Sequence, residues 1–420
     1  MAAQASKFFI GRAFHLDGPN MKSADSRIRQ VVDSIDPKEV IGLSRELIRI
    51  PSVCKQEHKV AKFVHERLSS WGFEPSFVPV PGFGPDVVSE IGPRDAPCIV
   101  LNGHMDTVEV MAGWKHDPFG ASIENSMLYG LGSLDMKCGL ACLMIAMRTI
   151  AEHRMADKTR IMFQGVTGEE DCGKGTRTLV ESGKFKRAKA AILGEGFGGL
   201  VAVTNSRRGA SYYDIVVQGK SAHGASPQKG INAIEDAAKI VEALSGMKMK
   251  RGRGMLADDF VPVAESQTVL RISGGKTSLS VPEQCSLYVV RYSLPGDQQD
   301  ATKRLSSVVD GLNLRSKVSV KMQAGPNRYH SFLTPPKSEL VKTARESILR
   351  YTGKKPRLVI GVSEADDNII AHETGIPVVC MGPGESGALA KYHQPEEAIS
   401  IAQIGPAARA IAMTAMTLMR

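Results

Sequence analysis

The chain has 420 residues, more than one ordinary hydrophobic core accommodates, so we expect a large domain and a smaller one. Its formal charge of +9 does not indicate a nucleic-acid partner, because 53 basic residues are interspersed with 44 acidic ones. The richest basic run, Lys248 to Arg253, lacks the interleaved aromatic residues of a single-strand binder and predicts a solvated loop. No run approaches about 18 consecutive apolar residues, so the sequence predicts no membrane span.

The cysteines and the N-terminus bear on the compartment. Seven cysteines, an odd number without a Cys-x-x-Cys pair, argue against a disulfide framework and predict a reducing compartment, with the cytoplasm as the default. Residues 1–20 carry Lys7, Arg12 and one acid and faintly resemble a transit peptide, but their apolar stretch is too short and broken for a secretory signal. We therefore expect residues 1–24 to form a disordered extension, with Met21 as a candidate start.

The first half of the chain alternates between helical and strand patterns. Apolar residues recur at helical spacing between Asp25 and Pro51, and again over Glu57–Trp71 and Gly139–Glu152. Short apolar runs predict the strands Phe73–Val80, Val87–Ile91, Cys98–Leu101, Thr159–Val166 and Ala190–Leu193. This alternation predicts an α/β fold, a mostly parallel sheet with helices on both faces. Active sites in such sheets lie at the carboxyl ends of the strands.

A different pattern begins near Arg208. The order strand, helix, strand, strand, helix, strand is typical of a small α+β ferredoxin-like unit, with two helices on one face of an antiparallel sheet. The predicted elements are Ser211–Gln218, Ile231–Leu244, Thr268–Ile272, Ser286–Tyr292, Ala301–Leu312 and Val318–Gln323. From Lys337 the first pattern returns, with strands Leu358–Ile360 and Pro377–Cys380 and a closing helix Ile401–Met419. We therefore expect residues 208–326 to be inserted into a catalytic domain made of residues 25–207 and 327–420.

Residues that suit a metal site follow several of these strands. His104 and Asp106 come after the strand Cys98–Leu101, and positions two apart on a strand face the same side. A carboxylate beside a metal-binding imidazole commonly fixes its tautomer, so His-x-Asp can encode such a pair. Four further features share this placement or lie in neighbouring loops: Asp135 in GLGSLDMKCG, the pair Glu169 and Glu170 after IMFQGVTG, Glu195 after AAILG, and His393 in KYHQP.

Each of these residues also has an ordinary structural explanation. His104 can be a hydrogen-bonded histidine at a strand end, Asp135 a helix N-cap, and the others turn or surface residues. Their joint placement favours one shared site instead. Two histidines and three carboxylates without a thiolate suit two divalent cations, with zinc as the first candidate and cobalt as the alternative. Two such ions can lower the pKa of a shared water to roughly 7, and one of two adjacent glutamates can then act as general base.

Six motifs, in matching order from about Ile41 to the C-terminus, resemble the M20 metallopeptidase family, in its acetylornithine deacetylase and succinyl-diaminopimelate desuccinylase branch. They are GHMDTV, GLGSLDMKCG, TGEED, LGEG, GKSAHGASPQKGINAI and HQPEE. The resemblance implies one zinc on His104, Asp135 and Glu195, and another on Asp135, Glu170 and His393.

The resemblance also implies roles for three further residues. Asp106 would orient His104, and Glu169 would be the general acid and base. The inserted unit would be a lid and dimerisation domain, whose His223 reaches the partner's site to stabilise the oxyanion. A loop histidine that caps a helix is the alternative for His223.

We therefore predict a two-metal amidohydrolase that cleaves an amide bond next to a carboxylate, as in N-acyl amino acids, and forms a homodimer. A dipeptidase or carboxypeptidase on the same scaffold is the second interpretation. A catalytically silent metal- or amino-acid-binding relative is the third, and the complete ligand set with Glu169 argues against it.

Substrate recognition is predicted on chemical grounds. A carboxylate needs a planar two-pronged donor, so Arg291 in the lid strand SLYVVRYS, with Arg208 as helper, is the candidate anchor. The alternative is that Arg291 pairs with a lid acid such as Asp297. The sequence departs from the family at Cys138, which replaces a glycine, and at Leu279, which stands where the lid commonly has asparagine.

Overall fold

The computed structural model describes residues 19–257, 259–276, 279–297, 301–325, 328–385 and 391–420, with side chains from residue 25 onward. The predicted extension lies mostly outside these residues, although the first helix begins at Pro19. The helices are α1 (Pro19–Asp33), α2 (Pro37–Ile48), α3 (His58–Ser70), α4 (Lys137–Glu152), α5 (Glu169–Cys172), α6 (Lys174–Glu181), α7 (Ala233–Ser245), α8 (Thr302–Asp310), α9 (Glu339–Thr352), α10 (Asp366–Thr374) and α11 (Ile401–Leu418).

The strands of the described residues form four sheets. They are β1 (Ser76–Val78), β2 (Asp86–Ile91), β3 (Cys98–His104), β4 (Ile123–Glu124), β5 (Met127–Tyr129), β6 (Arg160–Val166), β7 (Ala188–Leu193), β8 (Ala202–Arg207), β9 (Gly209–Gln218), β10 (Arg251–Leu256), β11 (Pro262–Ala264), β12 (Ser266–Gly274), β13 (Gln284–Ser293), β14 (Lys317–Met322), β15 (Phe332–Leu333), β16 (Arg357–Gly361), β17 (Val378–Cys380) and β18 (Ala398–Ser400).

The largest sheet has the order β1-β2-β6-β3-β7-β17-β8-β15, with β16 paired to β8. Its central strands β6, β3, β7 and β17 are parallel, whereas antiparallel neighbours flank them on both sides. Alternate residues of β3 enter two different cores: Ile99 and Leu101 pack with α2, α4 and α11, whereas Cys98 and Val100 pack on the face of α6 and α10. Burial on both faces explains the continuous apolar run of β3 and confirms the predicted α/β class.

The predicted helical segment after Asp25 consists of two helices. α1 ends at Asp33, and α2 begins at Pro37, where the Asp36 carboxylate accepts the backbone N–H of Lys38. Proline at the first helical position and aspartate before it are both favourable at a helix start. The break lets α2 pack beside α4, which is buried along nearly its whole length.

The second large unit is the predicted lid. Its sheet has the order β12-β13-β9-β14 with every pair antiparallel, and α7 and α8 cover one face with a separate apolar core. The chain order β9, α7, β12, β13, α8, β14 confirms the ferredoxin-like pattern. α7 begins at Ala233, later than predicted, because the Asn232 side chain accepts the N–H groups of Ile234 and Glu235. The domain boundaries at 207/208 and 326/327 stay a prediction.

The basic run Lys248–Arg253 is only partly a loop, and this prediction was wrong from Arg251 onward. Arg251 begins β10, which pairs with β11 in a two-stranded ribbon. Val263 of the ribbon packs in a small core with Leu294 and Ile360, which belong to the lid and to the large sheet region. Within the described residues, no helix combines the length and apolar character needed to cross a bilayer.

Candidate active site

Three neighbouring parallel strands deliver most of the predicted site. β3 ends at His104, β6 is followed by Glu169 and Glu170, and β7 is followed by Glu195. Since these strands are parallel, their ends meet at one edge of the sheet. Asp135 precedes the first turn of α4, and His393 precedes β18. The ligating atoms of two sets, His104 with Asp135 and Glu195, and Asp135 with Glu170 and His393, lie within 4.8 Å of one another.

Asp135 occupies the centre of this cluster. Its Oδ1 lies 2.9 Å from His104 Nε2, and its Oδ2 lies 3.3 Å from His393 Nε2. The same His393 nitrogen lies 3.1 Å from Glu170 Oε2. A carboxylate whose two oxygens face two separate imidazoles has the arrangement expected of a ligand shared between two cations.

The hydrogen bonds of His104 test whether cations fit here. Its Nδ1 lies 2.9 Å from the backbone oxygen of Asp106, and a carbonyl can only accept, so Nδ1 carries the proton in this contact. Nε2 and Asp135 Oδ1 then face each other as two acceptors, which requires a proton or a cation between them. The buried Glu170 Oε1 has no hydrogen-bond partner. This set of nitrogen and oxygen donors fits divalent cations such as zinc.

Asp106 lies beside His104, as predicted, but its nearest contact with the imidazole is through its backbone. Its carboxylate lies 3.8 Å from His104 Nδ1, so its backbone carbonyl orients the imidazole instead. The carboxylate accepts the backbone N–H groups of Glu169 at 3.3 Å and of Glu170 at 3.1 Å. Because these amides at the start of α5 occupy the carboxylate, Asp106 links the position of His104 to that of both glutamates. Burial raises the pKa of Asp106 to about 7.

Glu195 is held by a buried ion network that sequence reasoning missed. Arg207 Nη2 lies 3.2 Å from Glu195 Oε2, and Arg207 Nε lies 2.5 Å from Asp367 Oδ1. The Cys380 thiol donates to the other Asp367 oxygen at 3.1 Å. Burial raises the pKa of Glu195 to about 8, and the Arg207 guanidinium opposes this. An arginine within the strand VAVTNSR was the available signal, since a buried cation needs a partner.

The cleft above this cluster has a volume of about 340 Å³ and aromatic walls that include Phe197, Tyr292, Tyr329 and Tyr392. Among the described residues that line it there is no lysine or arginine. Glu364 also lines it, and its Oε1 accepts the Tyr212 hydroxyl at 2.7 Å, while its buried Oε2 has no hydrogen-bond partner.

The two arginines predicted to anchor substrate do not line this cleft. Arg291 forms a buried ion pair with Glu265 at 2.9 Å, so the lid-acid alternative describes its surroundings, with Glu265 in place of Asp297. Asp297 instead pairs with Lys250 at 2.6 Å. Arg208 donates to the backbone oxygens of Val362 and Ala264 and to Ser266, which joins the large sheet region to the lid. Both guanidinium groups therefore have protein partners, and their predicted role in anchoring the substrate carboxylate stays a prediction.

His223 lies on the lid and is exposed. It forms an isolated antiparallel bridge with Ser280, beside Leu279, whose side chain is 72% exposed. Its Nδ1 accepts the backbone N–H of Ala225, and the cap of the following helix α7 is Asn232 instead. The helix-cap alternative therefore does not apply to α7, and His223 is not among the residues that line the cleft of its own chain.

Comparison with known proteins identifies the family. A profile of the peptidase family M20/M25/M40 matches residues 100–417. The chain belongs to this family. Succinyl-diaminopimelate desuccinylase 2 of Shewanella loihica is 28% identical over 370 residues, which cover 86% of this chain and 95% of that protein.

Solved structures agree with the fold. Aminopeptidase PepT from Bacillus cereus gives a TM-score of 0.75 at 22% identity, over 92% of this chain and 100% of that one. The YXEP protein of Bacillus subtilis, a dinuclear metal-binding M20 peptidase, gives 0.68 at 17% identity, over 95% and 99%. Family membership makes this chain a metal-dependent hydrolase of amide or peptide bonds, which confirms the predicted enzyme class.

Proposed function

We propose that this M20 enzyme deacylates N-acyl amino acids, like the deacetylase and desuccinylase branch, with two divalent cations of which zinc is the first candidate. The observation that carries the proposal is Asp135, whose two oxygens face His104 and His393 at the carboxyl edge of the sheet. Similarity to a desuccinylase over most of both chains supports a substrate that carries a carboxylate near the amide.

The residues divide into ligands and one proton carrier. His104, Asp135 and Glu195 would hold one cation, and Asp135, Glu170 and His393 the other. When bound, the two ions supply Lewis acidity, which polarises the scissile carbonyl and lowers the pKa of water to roughly 7. Glu169 is left to accept the proton of the attacking water and return it to the leaving nitrogen. Burial raises the pKa of the Glu169 carboxyl, which suits a group that must hold this proton between the two steps.

We further propose a homodimer through the lid. β12 is an edge strand, and its Leu270 and Ile272 are 53% and 51% exposed. An unpaired strand edge with apolar side chains is a surface that a second copy can cover. His223 would then stabilise the oxyanion in the partner's cleft. Because none of the seven cysteines forms a disulfide, a reducing compartment, the cytoplasm, stays part of the proposal.

A dipeptidase is the second candidate, and Glu364 favours it. Its buried Oε2 has no hydrogen-bond partner, and the cleft around it has aromatic walls without a lysine or arginine among the described lining residues. Such an environment suits an ammonium group, for example the N-terminus of a dipeptide. An N-acyl substrate that carries a second, free amine would satisfy the same oxygen.

The test is amine release from matched N-acetyl and N-succinyl amino acids and from dipeptides, with metal-stripped protein and protein restored with zinc or cobalt. We expect release only after restoration, and faster from N-acyl amino acids than from dipeptides. Preference for dipeptides would establish the second candidate. No release from any of these classes by the metal-restored protein would refute both.

A further inference from the structure

The loop that carries Asp135 is held by one buried carboxylate, that of Glu397. Glu397 Oε1 accepts the backbone N–H groups of Leu134 at 2.7 Å and of Asp135 at 3.2 Å, and Oε2 accepts that of Gly132 at 3.2 Å. The backbone oxygen of Glu397 accepts a fourth N–H, from Gly130, at 3.0 Å. The side chain is 1% exposed, so water does not compete for these contacts.

These bonds account for most of the loop's donors. Of the six N–H groups from Gly130 to Asp135, four go to Glu397, and the other two go to the backbone oxygens of Pro118 and Gly130. No side chain caps α4, which starts two residues after Asp135. The position of the Asp135 carboxylate therefore depends on Glu397 more than on any local capping contact.

Glu397 also lies four residues after His393, in the segment HQPEE. The same short segment thus carries a ligand of one proposed cation and fixes the ligand shared by both. We propose, on the basis of the proposed function, that Glu397 is a positioning residue that sets Asp135 and His393 at the spacing two cations require.

The chain provides a matched control in Glu396. This neighbouring glutamate accepts the N–H groups of Lys115 and His116 and contacts the His116 ring at 2.7 Å, in a surface loop. None of these Glu396 contacts involves the Gly130–Asp135 loop. Glu396→Gln and Glu397→Gln therefore make the same chemical change at adjacent positions, and only one of them touches the Asp135 loop.

The experiment measures zinc affinity of the full chain by competition with a chromophoric chelator, zinc per chain in the purified enzyme, and kcat and KM separately. We expect Glu397→Gln to weaken zinc binding by roughly 10- to 100-fold, because an amide cannot accept at both ends, and to lower kcat with little change in KM. Glu396→Gln should leave zinc affinity unchanged.

Glu397→Asp extends the test if the glutamine variant does not fold. Its shorter side chain cannot reach all three N–H groups, so we expect an intermediate loss of zinc affinity. Wild-type zinc affinity and kcat in either folded Glu397 variant would overturn the inference. Zinc affinity is measured without substrate, so a failure of the proposed deacylase activity leaves this result readable.

Discussion

The carboxyl edge of the large sheet and the lid both contain buried charged residues, but they use them differently. At the sheet edge, Arg207 and Glu397 contact groups that carry or position proposed ligands. In the lid, Arg291 and Arg304 both contact Glu265. None of these three residues lines the cleft above the proposed metal ligands. A single chain therefore brings together all the proposed metal ligands. In the described lid, by contrast, His223 is exposed and the edge strand β12 has no neighbour on its outer side.

The largest expected effect separates the two adjacent glutamates at the sheet edge. Glu169→Gln should lower kcat by roughly 10²- to 10⁴-fold and retain both cations, because it removes only the proton carrier. Glu170→Gln should instead lose one cation. Kinetics with metal analysis of both variants tests this assignment. Loss of metal from Glu169→Gln, with full metal in Glu170→Gln, would reverse the roles.

The next effect concerns the support of Glu195. Arg207→Met should lower the free energy of unfolding by about 3 to 5 kcal/mol, because Glu195 and Asp367 are left buried without their cation. Arg207→Lys is the matched control, because it keeps the charge but loses the two-pronged geometry. Its free energy of unfolding should lie between those of the wild type and Arg207→Met. Urea unfolding at neutral pH measures both. Wild-type stability of Arg207→Met would show that the two carboxylates are protonated or otherwise compensated.

A smaller effect is expected in the lid. Arg291→Met should lower the free energy of unfolding by about 1 to 3 kcal/mol, because Glu265 keeps its contact with Arg304. The loss in kcat/KM should be equal for an acidic substrate and for its neutral amide. A selective loss on the acid, with an unchanged melting temperature, would restore Arg291 as the carboxylate anchor.

The smallest expected effect is on the pH dependence of stability and concerns His330. His330 stacks on His372 with ring centroids 3.5 Å apart, and burial with the neighbouring His372 lowers the pKa of His330 to about 4. The unfolded chain then binds more protons than the folded one between about pH 6.5 and 4, so this residue makes the fold less stable as pH falls through that range. His330→Phe should flatten that part of the stability profile. An unchanged pH slope in urea unfolding would contradict the assignment.

The sequence was informative where function follows from strand ends and local order. Strand termini and short motifs predicted one cluster, and the structure groups the possible ligand atoms of five of its residues, His104, Asp135, Glu170, Glu195 and His393. The six-element order of the lid was visible in its apolar patterns.

Contacts that depend on register or on distant pairing were not predictable. Glu265 directly precedes β12, and its contact with Arg291 depends on a β12–β13 register, with Gln267 opposite Arg291, that the sequence does not reveal. Arg207 meets Asp367 across 160 residues of chain, and Asp106 uses its carbonyl where its carboxylate was expected. Each of these contacts depends on which side-chain or backbone atom lies nearest its partner in the folded chain, and the sequence does not specify this.

The most direct test of the difference between the two regions is metal content and amine release in the double variant Leu270→Lys/Ile272→Lys, which places charge on the exposed edge of the lid. We predict a monomer by sedimentation that still binds two zinc ions per chain, with amine release from N-acyl amino acids reduced by roughly 10²- to 10³-fold, because His223 no longer reaches a partner's cleft. A monomer with wild-type activity, or one that loses its metal together with the dimer, would contradict the account.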